Sequence, residues 1–309
     1  MRFYIVDAFA ESVFGGNPAG IVMIDAGSDF PSEDIMLKTA AELRYSETAF
    51  IKTLLDGTLH MRYFTPTAEV EFCGHATVGA FAALIRLGSV KKYTSHPIVT
   101  LSGKLTIEID GDFIMMKMPT AKEIKQSFTA DEVCEIYNAL GIKYKPVATT
   151  LPSGSTIELL PQLLSVGFPD IFVPVKSRHE LASICPDFKV ASALSEKYGA
   201  GGIHAFTLES PGDEIMACAR NFAPLFGIDE EAATGTASGG LIYYLYKHGI
   251  TFNQPNCYFL QGEAMGRPSK VYTSLNVIPE NTPTQNLNLE IKVGGKGAVL
   301  AEGQIHLPD

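Results

Sequence analysis

A cysteine, a glycine and a histidine follow one another at Cys73, Gly74 and His75, in the stretch TPTAEVEFCGHATVGAFAALIRLG. The trio lies where an acidic, strand-like segment changes into an apolar helix. A thiol and an imidazole at this spacing could transfer protons, because a thiolate is a base and a nucleophile and an imidazole titrates near neutral pH. The simpler interpretation is a tight turn with a buried thiol, since a free cysteine usually packs as a small apolar side chain.

Carboxylates provide further candidate acids and bases. Glu47, in RYSETAFI, lies where a predicted helix gives way to an apolar strand, and a carboxylate entering a buried strand is costly unless it is paired or functional. A cap or a salt bridge with Arg44 is the structural alternative. Glu230 and Glu231 precede a small-residue turn, where a solvated acidic loop is the default interpretation. Carboxylates in different environments can nevertheless separate their pKa values into acid and base roles.

An internal repeat connects these candidates. The stretch FAPLFGIDEEAATGTASGGLIYYLYKHG at 222–249 follows the order of features at 65–88: an acidic segment, a small-residue turn and an apolar helix. An earlier pair, GNPAGIV at 16–22 and GFPDIFV at 167–173, is also similar. The sequence therefore predicts two copies of one α/β unit. The aligned positions of the turn are Cys73 with Thr234, Gly74 with Gly235, and His75 with Thr236.

Each copy contains a helix that is apolar nearly all round, ATVGAFAALIRLG and ASGGLIYYLYKHG, which predicts a helix buried inside its domain. The helices begin at Gly74 and Gly235, where free N–H groups and the positive end of the helix dipole are available. Two such helix starts in one site would bind a carboxylate without lysine or arginine. A neutral His75 would lie beside this anion, whereas the hydroxyl of Thr236 could serve the same site or simply cap its helix.

The composition narrows the classes of partner. The chain has 309 residues, 46% of them apolar, and a net charge of −10 without a cluster of lysine and arginine, so we expect no nucleic acid partner. No uncharged apolar run reaches 18 residues and MRFYIVDAFA is predicted to be a strand, so we expect no membrane partner and a cytoplasmic location. The five dispersed cysteines and seven histidines show no zinc-ligand spacing, and no nucleotide-binding glycine motif occurs, so no metal or cofactor is expected.

Helix and turn patterns predict a mixed α and β protein. Ser32 and Thr129 are predicted N-caps. Strand patterning stops at 118–130, which predicts a linker between a domain at 1–118, completed by 288–309, and a domain at 130–287. Three turns between alternating apolar residues predict β-hairpins in FIKTLLDGTLHMRYF, LTIEIDGDFIMMKM and LEIKVGGKGAVLAEGQIHL.

With these features in view, the chain resembles the PhzF family of phenazine-biosynthesis-like isomerases, within the diaminopimelate epimerase-like fold. The resemblance runs from end to end, through DAFAESVFGGNPAGIV, YSETAFI, RYFTPTAEVEFCGHATVGA and RNFAPLFGIDEEAATGTASGGL. It implies an α+β protein of two pseudo-symmetric domains, each a curved, mostly antiparallel sheet or half-barrel around a central buried helix. It also implies a homodimer.

The resemblance further implies a reaction and its residues. Glu47 would be the proton-transferring general acid and base, with His75 and Glu231 as further catalytic residues. The substrate would be a small cyclic or amino-acid-like carboxylate similar to trans-2,3-dihydro-3-hydroxyanthranilate, and no cofactor would take part. Glu231 and Thr236 depart from the aspartate and serine that are usual in the family, which changes the shape of the pocket. The implied substrate-binding residues are Asn17, Cys73, Gly74, Gly235 and Thr236.

Two alternatives remain open at this stage. One is a cofactor-independent racemase or epimerase of the same fold, which Thr234 disfavours because related epimerases have a reactive cysteine at this position. The other is a non-catalytic carboxylate-binding protein on the same scaffold. A thiol reagent and a Glu47→Gln variant would distinguish them from a carboxylate-dependent isomerase.

Overall fold

The computed structural model describes residues 1–278 and 288–308. In chain order the strands are β1 (Arg2–Ala8), β2 (Asn17–Met23), β3 (Thr48–Thr53), β4 (Leu59–Phe64), β5 (Glu69–Val70), β6 (Thr94–Thr100), β7 (Gly103–Asp110), β8 (Phe113–Lys117), β9 (Lys122–Lys125), β10 (Val147–Thr150), β11 (Thr156–Leu159), β12 (Gln162–Ser165), β13 (Pro169–Pro174), β14 (Gly202–Thr207), β15 (Ile215–Ala223), β16 (Ile228–Glu231), β17 (Gln254–Gln261), β18 (Ser269–Ile278), β19 (Asn288–Gly295) and β20 (Gly297–Gln304). The helices are α1 (Glu33–Leu43), α2 (Gly74–Arg86), α3 (Ala130–Ala139), α4 (Arg178–Ser183), α5 (Phe188–Tyr198) and α6 (Gly235–Lys247).

The chain divides into two compact units. The first unit contains Met1–Lys117 and the chain from Gly294 onward, and the second unit contains Met118–Val293. The predicted linker at 118–130 was wrong, because this segment contains β9, which pairs antiparallel with β12 of the second unit. The polar residues that suggested a linker are the exposed side of this strand and the cap of α3.

In the first unit the strands follow the order β20, β1, β2, β3, β4, β6, β7, β8. The pairs β2–β3 and β4–β6 are parallel and the other pairs are antiparallel. The short strand β5 pairs with the end of β4 just before α2 begins. The sheet is therefore mostly antiparallel, with one parallel pair on each side of the β3–β4 hairpin.

The second unit repeats this order as β9, β12, β13, β14, β15, β17, β18. The parallel pairs are β13–β14 and β15–β17, and β16 pairs with the end of β15 just before α6 begins. Each strand from β12 to β18 thus has a counterpart in the first unit with the same direction and neighbours. The internal repeat predicted from two short stretches extends through both sheets.

The helices α2 and α6 are the central helices of their units. Each has 13 residues and starts at a glycine, and every side of α2 from His75 to Leu84 is buried. A glycine lets β13 approach α6 closely, because a Cβ at Gly240 would lie 2.3 Å from Cζ of Phe172. The predicted buried central helices are confirmed.

The remaining helices cover the other faces of the sheets, and their predicted caps are present. The side chain of Ser32 accepts a hydrogen bond from the Ile35 N–H, and Thr129 forms a capping box with Glu132. In the second unit, α3, α4 and α5 pack on β13, β14 and β15 in one large apolar core. In the first unit a smaller core joins α1 to β2, β3 and β4.

Two of the three predicted hairpins form, as β3–β4 and β7–β8. The third was wrong. A single residue, Lys296, separates β19 from β20, which is too short for a hairpin turn, and β20 pairs with β1. The chain uses this point to return to the first unit. Within the described ranges, no helix has the length and apolar character needed to cross a bilayer.

Candidate active site

Glu47 lies between the end of α1 and the start of β3, and its carboxylate meets His75 at the start of α2. The distance between Oε2 of Glu47 and Nε2 of His75 is 3.3 Å, and their side chains are 12% and 6% exposed. Among the described residues, no group gives this buried Oε2 a hydrogen bond of good geometry. An oxygen in this state is available to accept a hydrogen bond or a proton from a bound molecule.

His75 is a neutral imidazole in this environment. Burial lowers the pKa of His75, and the negative charge of Glu47 opposes this effect only in part. Its Nδ1 lies 3.4 Å from Sγ of Cys73, and its Nε2 lies 3.3 Å from Oγ of Ser46. A neutral ring with two polar neighbours can orient Glu47 and exchange one hydrogen bond with a substrate.

Cys73 is the N-cap residue of α2 and Gly74 is the first residue of this helix. The thiol makes no capping hydrogen bond and is 7% exposed, beside the ring of His75. Oγ1 of Thr77 donates to the carbonyl of Cys73 at 2.7 Å and also meets the hydroxyl of Tyr63 at 2.7 Å. These bonds hold the first turn of α2, so that its N–H groups keep a defined direction.

Asn17 lies at the same end of the sheet. It begins β2 and is buried, opposite Ala8 of β1. Three residues later, the N–H of Gly20 donates to the carbonyl of Glu47. The predicted first-unit residues Asn17, Glu47 and His75 therefore belong to three elements that meet at one end of β2 and β3.

In the second unit, Glu231 ends β16 and belongs to a polar network at the start of α6. Oγ1 of Thr234 donates to Oε2 of Glu231 at 2.8 Å. The amide of Gln261 donates to the carbonyl of Glu231 at 2.8 Å and meets Thr234 through both its nitrogen and its oxygen. The hydroxyl of Thr234 is thus used to orient a carboxylate, which differs from the role of a thiol at this position.

The adjacent Glu230 has a structural contact instead. Both carboxylate oxygens of Glu230 accept hydrogen bonds from Arg220 at 2.8 Å, and both side chains are largely buried. Arg220 also donates to the carbonyls of Leu181 and Ile184, which ties α4 to the sheet. The structure therefore separates the two glutamates, which the sequence left equivalent: Glu230 stabilises the fold and Glu231 lies at the helix start.

The helix start of the second unit contains Gly235 and Thr236. Cγ2 of Thr236 lies 3.8 Å from the position that a Cβ at Gly167 would take. Oγ of Ser238 donates to the carbonyl of Thr234 at 2.9 Å, as Thr77 does to Cys73 in the first unit. The two helix starts therefore have the same internal bracing.

Three side chains of the first unit, those of Glu47, Cys73 and His75, have the chemical composition of a metal site. One ligand atom each from Glu47, Cys73 and His75 lies within 4.8 Å of the other two. Carboxylate, thiolate and imidazole are all ligands of zinc. Sequence spacing gave no indication of this group, because Glu47 comes from a different element and joins the other two only in the folded unit.

Comparisons with known proteins place these features in a family. The model of the family "Phenazine biosynthesis-like protein" matches residues 6–303. The "uncharacterized isomerase YddE" of Escherichia coli is 30% identical, with 99% of each chain covered. The chain belongs to the phenazine biosynthesis-like protein family. It is an isomerase with the diaminopimelate epimerase-like fold that the sequence predicts.

Other members of the phenazine biosynthesis-like family are similar over the whole chain. The trans-2,3-dihydro-3-hydroxyanthranilate isomerase of Pseudomonas aeruginosa is 28% identical, with 99% of each chain covered. The crystal structure of the Bacillus anthracis phenazine biosynthesis protein of the PhzF family superposes with a TM-score of 0.82, at 25% identity and with 99% of each chain covered.

Sequence reasoning missed part of the second-unit network. Gln261 ends β17 and reaches Thr234 and Glu231 because β17 runs parallel to β15. No local pattern marks this glutamine. The repeat did contain one usable indication, since Thr77 aligns with Ser238 and both hydroxyls brace their helices.

Proposed function

We propose that this isomerase transfers a proton between carbon atoms of a small cyclic or amino-acid-like carboxylate, with Glu47 as general acid and base. The observation that carries the proposal is the buried Oε2 of Glu47, which has no hydrogen-bond donor of good geometry among the described residues and lies 3.3 Å from a neutral imidazole. Burial of an ionised carboxylate is unfavourable, so an incoming acidic C–H group would relieve this cost by giving up its proton.

His75 would position Glu47 and hydrogen-bond the substrate. Because burial keeps the imidazole neutral, it does not neutralise the charge of Glu47 by forming a full ion pair. The contacts to Cys73 and Ser46 hold the ring in one orientation. These contacts restrict the direction of the Glu47 carboxylate, as a positioned general acid and base requires.

The substrate carboxylate would bind to backbone N–H groups at the start of α2, in the turn of Gly74, with Cys73 and Asn17 beside it. Gly235 and Thr236 begin α6 with the same kind of backbone donors and are the proposed substrate-binding residues of the second unit. No basic cluster is needed, because each helix end supplies donors and a partial positive charge. Such oriented donors would also stabilise charge that develops in the transition state.

Glu231 is proposed as the catalytic carboxylate of the second unit. Thr234 and Gln261 hold it through its side chain and its carbonyl. Thr234 has no acidic proton comparable to a thiol, which argues against a mechanism with one reactive cysteine in each unit. The proposal needs neither a metal nor a cofactor.

The first experiment is proton NMR in deuterated water, with trans-2,3-dihydro-3-hydroxyanthranilate and a panel of amino acids as substrates. The first compound is chosen because a relative is named for its isomerisation. We expect isomerisation or deuterium uptake with wild type and almost none with Glu47→Gln. Deuterium uptake at the α-carbon of an amino acid that depends on Cys73 would favour a racemase. Tight binding without exchange, unchanged in Glu47→Gln, would favour a binding protein.

We also propose a cytoplasmic location. Cys134 and Cys185 are exposed cysteines that form no disulfide within the described part of the chain. Exposed free thiols persist in reducing compartments. Cell fractionation with an antibody to the protein would test this, and recovery in an oxidising compartment would contradict it.

The assembly is proposed to be a homodimer, from the resemblance to the family. Light scattering coupled to size exclusion would measure the mass against the 33.4 kDa of one chain. A mass of one chain over a range of concentrations would rule out this proposal.

A further inference from the structure

Glu47 immediately precedes β3, and the equivalent position in the second unit has no carboxylate. In the first unit, β2 runs parallel to β3 with Gly20 opposite Thr48. In the second unit, β13 runs parallel to β14 with Ile171 opposite Ile203. Because GNPAGIV aligns with GFPDIFV, these two residue pairs are equivalent. The residue before Ile203 is Gly202, so glycine takes the place of Glu47.

A carboxyl group reappears on the neighbouring strand. The residue before Gly20 is Ala19, and the residue before Ile171 is Asp170, which lies directly opposite Gly202. The first unit therefore has Ala19 beside Glu47, and the second unit has Asp170 beside Gly202. Both positions are in the interior: Ala19 is fully buried and Asp170 is 4% exposed. Because the equivalent residue Ala19 packs without a carboxyl group, the carboxyl group of Asp170 is not required for packing at this position.

The direction of Asp170 follows from the contacts of β13 with α6. Phe172 packs on Gly240, and Asp170 lies two residues earlier, on the same face of the strand and about 7 Å along it. Gly167, at the start of this segment, lies against Thr236 in the first turn of α6. The side chain of Asp170 therefore faces the first turn of α6, where Thr234 holds Glu231.

The electrostatic surroundings of Asp170 agree with this placement. Burial and, to a lesser extent, the charge of Glu231 raise the pKa of Asp170 to about 8, against the opposing effect of a hydrogen bond from the Gly202 N–H. Burial lowers the pKa of His204 on β14 to about 4 and raises that of Tyr244 on α6. Both of these side chains are uncharged near neutral pH.

The other described neighbours that could face Asp170 have no charge. Alongside β13, β12 offers Ser165, and α6 offers Thr236 and Ser238. Arg220 of β15 is bound to Glu230 and to the α4 carbonyls. Glu231 is therefore the charged group to which Asp170 responds.

We propose that Asp170 is a positioning residue of the second unit, and that Asp170 and Glu231 together hold one proton at neutral pH. Asp170 is the neutral member, so Glu231 stays in a defined state for proton exchange with a substrate. The two carboxyl groups titrate as an interacting pair, because the charge of one disfavours ionisation of the other. The catalytic consequence rests on the proposed function, whereas the shared proton does not.

The direct test is carbon-13 NMR of protein labelled at the aspartate and glutamate carboxyl carbons, titrated from pH 3 to about 10, a range that includes the ordinary carboxyl pKa values. We expect one aspartate signal in wild type to titrate near pH 8. Asp170→Asn should remove this signal. Glu231→Gln should move it to lower pH, because the charge that raises the pKa is gone.

Two variants control this test. Asp229→Asn changes an exposed residue on the same strand as Glu231 and should leave the signal in place. Asp170→Ala copies the residue that the first unit has at this position, so this variant is expected to fold. If every aspartate carbon of wild type titrates below about pH 5, within the ordinary range for carboxyl groups, the shared proton is ruled out.

The catalytic consequence has its own readout. Once a substrate is identified, kcat of wild type should fall as pH rises through about 8. In Asp170→Ala, kcat should no longer show this decrease. An unchanged decrease in Asp170→Ala would reduce Asp170 to a structural role. If wild type isomerises none of the substrates, the NMR titration still decides whether the carboxyl pair exists.

Discussion

The starts of α2 and α6 are held by equivalent hydrogen bonds and ion pairs, but they carry different side chains that could react. In both units a hydroxyl at the fourth helical residue bonds back to the residue before the helix, from Thr77 to Cys73 and from Ser238 to Thr234. An arginine on the long hairpin strand also binds a glutamate on the short strand before the helix. These ion pairs are Arg62 with Glu69 and Arg220 with Glu230.

The polar side chains near the two helix starts differ. The first unit has a histidine, a thiol and Glu47 in contact, while the second unit has Glu231 held by Thr234 and Gln261. The repeat therefore conserves the interactions that shape the helix starts and varies the residues that could react. Two copies of one scaffold thus carry unlike acids and bases at equivalent helix starts.

The largest expected effect tests whether the first unit supplies the base. Replacing Glu47 by Gln removes the base and keeps its size, so turnover should fall by about 10² to 10⁴-fold. Glu42→Gln, on the exposed side of α1, is the matched control and should retain normal turnover. Progress curves by NMR would measure both variants. A Glu47→Gln enzyme within a few-fold of wild type would show that the base lies elsewhere.

The two arginine–glutamate pairs should differ in their contribution to stability. Arg220→Ala should lower the free energy of unfolding by about 3 to 5 kcal/mol, because it leaves Glu230 buried without a partner. Arg62 is more exposed than Arg220, at 20% against 11%, so Arg62→Ala should cost about 1 to 3 kcal/mol. Urea denaturation would measure both.

Lys38→Ala, in an exposed ion pair with Asp34, should cost less than about 1 kcal/mol and serves as the control. Equal decreases in the free energy of unfolding for Arg62→Ala and Arg220→Ala would show that the two ion pairs contribute equally to stability.

Asp170 should give the second unit a pH dependence of stability that Ala19, its counterpart in the first unit, cannot give. Its pKa is raised to about 8 in the folded chain, from an ordinary value of 3.8, so the folded state holds a proton that the unfolded state has lost between these limits. Its contribution to the free energy of unfolding therefore decreases as pH rises from about 4 to about 8.

Asp170→Ala should remove this contribution, so its stability relative to wild type should increase over the same pH interval. Urea midpoints measured at several pH values would show the change. A constant difference between the two proteins would mean that Asp170 has the same protonation state in the folded and unfolded chains.

The smallest expected effect concerns Cys73. Cys73→Ser should reduce turnover by far less than the ~10²-fold that a general base supplies, because in this proposal the thiol contacts the ring of His75 and transfers no proton. A thiol reagent could still inhibit by filling the site, so the serine variant is the cleaner measurement. Loss of activity comparable to that of Glu47→Gln would favour the racemase mechanism.

Local patterns predicted much of the fold. The caps at Ser32 and Thr129, the two hairpins and both central helices depend on residues close together in the chain, and all of them form. The segment at 118–130 was misread because a four-residue edge strand has little pattern of its own. The strand at the C-terminal end was misread because its partner, β1, lies at the other end of the sequence.

The sequence by itself determined the family, the two copies of the repeat and the position of Glu47 at the start of a strand. Tertiary structure alone decided that Glu47 meets His75, that Glu230 stabilises the fold while Glu231 does not share its ion pair, and that Asp170 faces α6. The physical reason is strand pairing. Parallel pairing in each unit brings together residues more than 25 positions apart, as Glu47 with Gly20 and Gln261 with Glu231, and short-range periodicity contains no information about such pairs.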